Sequence, residues 1–60
     1  MGLSEYNDLD WFYEKVEKSQ IKMPTEFQED AYLLYVKNNI EAGLTIESAR
    51  VKAFSKAVIL

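Results

Sequence analysis

The sequence predicts a small all-α domain of three helices. Three observations carry that expectation. Thr25 and Thr45 each stand directly before a periodic apolar segment, as N-caps do. Apart from Gly2, the helix-breaking residues are Pro24 and Gly43, and they divide the chain into three parts. Within each part the apolar residues recur every three or four positions rather than alternating.

The first helix is predicted over residues 8–18. Asn7 is the expected N-cap, since its side chain can accept from the free N–H groups of the first turn. Asp8 and Asp10 then lie where the helix dipole favours negative charge, and Lys15 and Lys18 near the end that favours positive charge. Leu9, Phe12, Tyr13 and Val16 make one apolar face, with Tyr6 at its edge. Trp11 is expected to point elsewhere, between Lys15 and Lys18, as a candidate binding anchor.

The second helix is predicted over residues 26–42. The stretch TEFQ is a capping box, Thr25 paired with Gln28. Pro24 blocks backward extension, and Gly43 is suited to a left-handed C-terminal cap. The run AYLLYV has the composition of a strand, but it lies deep inside a segment opened by a capping box. On a helical wheel it resolves into two stripes. Tyr32, Leu33, Val36 and Ile40 are the expected core stripe. Phe27, Ala31, Leu34, Tyr35 and Ala42, with Asn38 among them, form the second stripe: it too is core if the first and third helices cover opposite sides of a central second helix, and otherwise Phe27, Leu34 and Tyr35 are the candidate outer face.

The third helix is predicted over residues 46–58, capped by Thr45 with Glu47 in its first turn. The short link at Gly43-Leu44 folds it against the second helix as a tight antiparallel hairpin. Ala49, Ala53 and Ala57, at spacing four, allow another helix to approach closely. Arg50 lies within the same arc, where it pairs with a carboxylate or serves as a polar anchor for a partner.

The 60 residues form one domain, too short to bury more than about 60% of the surface of the unfolded chain. With no Cys and no His, disulfides and the usual structural zinc site are excluded. No metal or cofactor is expected. The missing His and Cys also remove the commonest general base and the most reactive nucleophile. The only glycines, Gly2 and Gly43, form no phosphate-binding loop. Glu26, Glu29 and Asp30 share a helix turn, which is favourable charge near an N-terminus rather than a metal centre. The chain is therefore expected not to be an enzyme.

Net charge is −3, unevenly spread. Residues 1–30 carry eight acids against three lysines, a balance of −5; residues 31–60 carry two acids against four bases, +2. That balance suits nucleic acid poorly. No apolar run approaches the ~18 residues of a membrane span, and MGLSEYNDLD lacks the basic and apolar regions of a signal peptide. The expected compartment is the cytoplasm.

These features predict a small protein-binding regulator of bacterial or phage type: an inhibitor, adaptor or antitoxin-like protein. Its partner would be another protein, met by Trp11, Phe27, Leu34, Tyr35, Asn38 and Arg50. Two alternatives remain open at this level. One is a dimeric nucleic-acid accessory protein with Arg50, Lys52 and Lys56 on phosphate. The other is a homo-oligomeric structural component in which an apolar stripe meets its own copy.

Overall fold

A computed structural model describes residues 3–60, with side chains from Asp8 onward. It contains three helices in chain order: α1 (Leu3–Ser19), α2 (Glu26–Glu41) and α3 (Ile46–Ala57). No strand occurs among the described residues. The all-α three-helix architecture is thus the one expected, and AYLLYV lies wholly inside α2.

The caps explain the boundaries of α2 and α3. Thr25 Oγ1 accepts from the Gln28 N–H at 3.2 Å, and Gln28 Oε1 accepts from the Thr25 N–H at 2.9 Å. The capping box is complete. Thr45 Oγ1 likewise accepts from the Ser48 N–H at 3.3 Å. At the other end of α2, the Gly43 N–H donates to the Ile40 carbonyl and the Leu44 N–H to the Asn39 carbonyl, at 3.0 and 3.1 Å. This is a Schellman motif, and it needs a left-handed residue, which Gly43 supplies with φ +103°.

α1 differs from expectation at its N-terminus. It begins at Leu3 rather than Asp8, so Asn7 lies within the helix instead of capping it. Nothing between Leu3 and Asn7 breaks a helix, and an interior Asn costs only a fraction of a kcal/mol, about 0.7 at most. The side chains of Tyr6 and Asn7 lie outside the described residues. The C-terminus closes with a second Schellman motif: the Gln20 N–H donates to Glu17 and the Ile21 N–H to Val16, at 3.1 and 3.4 Å. Here the left-handed residue is Gln20, φ +55°. No glycine signals it.

α2 and α3 form the antiparallel hairpin. Gln28, at the start of α2, donates from Nε2 to the Ala57 carbonyl at the end of α3, 3.2 Å away. Asn39, near the end of α2, donates from Nδ2 to the Ala49 carbonyl at the start of α3, 3.1 Å away. The two backbones run close together because Ala49, Ala53 and Ala57, all fully buried, form the seam. α1 is held farther off, and the spacing is filled by rings. Phe12 and Tyr32 stack with centroids 4.4 Å apart, and Phe54 meets Phe12 edge-on at 5.8 Å. Offset and edge-on pairs of this kind each add about 0.5–1.5 kcal/mol beyond the area they bury. Val16 and Val36 complete the core. The Cα radius of gyration of 10.7 Å is close to the ~10 Å expected of a compact chain this long.

Candidate interaction surface

The fold sorts the six residues expected at a partner surface into two groups. Phe27, Leu34 and Asn38 share the outward side of α2, and all three are exposed. Phe27 is 68% exposed and Leu34 55%. They stand two turns apart on a helix whose other side is covered by α1 and α3. Leu34 also borders an open groove of about 600 Å³, where Leu33, Ile40 and Ile46 continue the apolar surface and Lys37 and Glu41 stand close by.

The other three residues are engaged within the molecule. Tyr35 is half-buried, with the Lys56 ammonium 5.3 Å from its ring centre. Trp11 does not point away from the core as its position on the wheel suggests. Its ring lies nearly parallel to Tyr32 and edge-on to Phe54, both at 6.3 Å. α1 straddles two helices, so the covered arc is wide enough to take in Trp11 as well as Leu9 and Val16. One part of the expectation at this position holds, since Lys15 Nζ lies 5.8 Å from the Trp11 ring. Arg50 donates from Nε to Asp8 Oδ1 at 2.7 Å, in a pair that ties α3 to α1 across a partly buried boundary.

Ile40 requires a correction of the opposite kind. It belongs to the expected core stripe, yet it is exposed. The buried positions of α2 are Tyr32 and Val36. Leu33 is half-buried at the edge, and Ile40 lies beyond it on the rim of the groove.

Three side chains, Gln28, Asn39 and Tyr13, make polar links between elements that were not foreseen. Gln28 is legible as a cap, but its amide nitrogen also reaches α3, donating to Ala57 and, at 3.5 Å, to the Leu60 carbonyl. Asn39 shares its side of the wheel and performs the same task eleven residues on. The signal available was that shared azimuth, together with alanines opposite that leave backbone carbonyls within reach. Tyr13 donates its hydroxyl to the Glu29 carboxylate, which joins α1 to the start of α2. That bond, then burial, then the charge of Glu29 raise the Tyr13 pKa. Tyr32 is raised as well, chiefly by burial and next by the charge of Asp8, with Arg50 opposing.

Among the described residues, no group of three or more His, Cys, Asp or Glu side chains is placed to hold a metal ion. None of the described helices is long and apolar enough to cross a membrane. No protein-family model matches the sequence, and comparison with curated proteins and with solved structures returns no match.

Proposed function

We propose that this protein is a small non-enzymatic regulator that acts by binding another protein through the outward face of α2. The observation that carries the reading is the exposure of Phe27 and Leu34 on one side of a helix whose core side is already satisfied. Neither residue belongs to the buried core. Large apolar side chains uncovered together, with more apolar surface beside them at Ile40 and Ile46, mark a protein-binding patch. Asn38 and Lys37 supply a polar border.

The nucleic-acid reading has less support. Of its three phosphate contacts, Arg50 is held by Asp8 and Lys56 lies against Tyr35. Only Lys52 is left, on a chain of net charge −3.

The test is a comparison of baits. Wild-type chain and the variants Phe27→Ser and Leu34→Ser are immobilised and offered the same cell extract, with thermal unfolding of each recorded alongside. The reading expects a protein held by the wild type and lost from both variants while their melting temperatures stay at the wild-type value. Equal retention by all three would refute it.

A further inference from the structure

α2 and α3 are stitched to each other without help from α1. The bonds from Gln28 and Asn39 run from α2 to α3, and the alanine seam lies between the same two helices. α1 is a separate piece seated against this hairpin. Its Trp11, Phe12 and Val16 meet Tyr32, Val36 and Phe54 there. Two polar ties fix it at different points along its length, Asp8 to Arg50 and Tyr13 to Glu29.

The only covalent connection between the two pieces is the link over residues 20–25. Residues 20–23 and 25 are exposed. Among the described residues, the backbone bonds of 20–24 run back into α1 and none reaches the hairpin. Gln20 is also the one described non-glycine residue with positive φ, at +55°. That conformation crowds a Cβ, and it begins the turn that returns the chain to its own hairpin. Pro24 acts in the opposite sense, since it biases Met23 toward extended backbone. A short hinge under strain invites exchange of the element it carries. Opened out, six residues reach about 20 Å, as far as the shortest dimension of the molecule, 20 Å.

We propose that two copies of this chain exchange α1, each first helix docking against the other's α2–α3 hairpin. The occupant is chosen by the structure itself, because the surface is already filled by this helix. Every contact of α1 is kept in the exchanged pair, and only the link changes, with Gln20 free to leave the left-handed region. Closed, each chain presents its own α1 at an effective concentration on the order of millimolar, so the dilute native protein stays a monomer. Exchange follows when the chain is concentrated or when the closed form is weakened. The Phe27–Leu34 face takes no part, so this assignment and the function proposed above stand or fall separately.

The test uses two full-length variants, Asp8→Arg and Arg50→Asp. Each alone sets like charges against one another, both in its monomer and in a pair of identical chains. In an exchanged pair of the two variants, one α1 meets its hairpin through an ion pair of reversed sense, and the other through the original Asp8–Arg50 pair. The variants are unfolded in urea, refolded separately and as an equal mixture at about 0.1 mM, below the effective concentration, and sized by sedimentation. The expected result is a dimer of unlike chains in the mixture, about tenfold or more abundant than any dimer of either variant alone. The comparison does not require either variant to fold by itself. In parallel, wild type refolded at about 1 mM should yield a dimer. Gln20→Gly should weaken that dimer about tenfold, since it relieves one turn in each closed chain, and Leu34→Ser should leave it unchanged. A mixture with no more dimer than the separate variants would overturn the proposal. A wild-type dimer lost on Leu34→Ser and untouched by Gln20→Gly would overturn it as well, and would give the α2 face to a second copy.

Discussion

Tyr32 is buried completely, and its hydroxyl is the one buried side-chain polar atom among the described residues without a hydrogen-bond partner. A buried group left unpaired costs about 1–3 kcal/mol. The ring is needed, because Phe12 and Trp11 stack against it; the oxygen is not. Tyr32→Phe should therefore stabilise the domain by about 1 kcal/mol, seen as a rise of about 4–8 °C in melting temperature for a chain of this size. An unchanged or lower melting temperature would mean that the hydroxyl is satisfied. Gln20 and Gly43 form a second pair of tests with opposite signs. Both occupy the left-handed position of a Schellman motif, but only one is glycine. Left-handed backbone costs a residue with a Cβ about 1–2 kcal/mol. Gln20→Gly should gain about 0.5–1 kcal/mol once the added chain entropy of glycine is subtracted. Gly43→Ala should lose about 0.5–1 kcal/mol, the left-handed strain less the chain entropy that glycine no longer adds, with no clash to add to it because a Cβ there meets nothing within 4 Å. Denaturant midpoints of the two variants check both signs.

At the scale of the element, the hairpin depends on small residues in α3 and on two amides in α2. Ala53→Leu would push a branched side chain into a seam with no space for it and should cost about 1–3 kcal/mol or more. Asn39→Ala removes one link to α3 and should cost about 1 kcal/mol. Gln28→Ala removes a comparable link together with half of the capping box, and should cost more than Asn39→Ala when both are measured by urea unfolding. The elements themselves were legible wherever their signals are local. Thr25, Gln28, Gly43 and Thr45 mark boundaries through bonds made within a few residues. The orientation of Trp11 and Tyr35 was not legible, because it depends on where a neighbouring helix lies. A helical wheel gives azimuths but not the width of the arc that α1 presents to a two-helix hairpin. The start of α1 was missed for a related reason: a good capping residue does not stop a helix that already has reason to extend through it. Of the expected surface, Phe27, Leu34 and Asn38 could be read as a group from period alone. The left-handed turn that closes α1 could not, since Gln20 rather than glycine makes it.

At the scale of the whole molecule, two phenols keep their protons longer in the folded chain than in the unfolded one. The unfolded tyrosines ionise near pH 10, whereas Tyr13 and Tyr32 are held above that value. The native state then binds more protons than the unfolded state, so stability falls as pH rises. The contribution is complete below about pH 10 and is lost progressively above it. Urea midpoints taken from about pH 8 to pH 11 should decline only in the upper part of that range, and Tyr32→Phe should flatten part of the decline. A 60-residue chain has little stability to lose, since marginal domains hold about 0.05–0.15 kcal/mol per residue. That the Phe27–Leu34 face stays uncovered in the isolated protein is the claim on which the function rests. Sedimentation equilibrium of the wild type and of Leu34→Ser, over a wide concentration range, tests it most directly. A monomer of 7.0 kDa in both, with equal melting temperatures, is the predicted result. A wild-type dimer that Leu34→Ser dissociates would contradict it and give the face to a second copy of the chain.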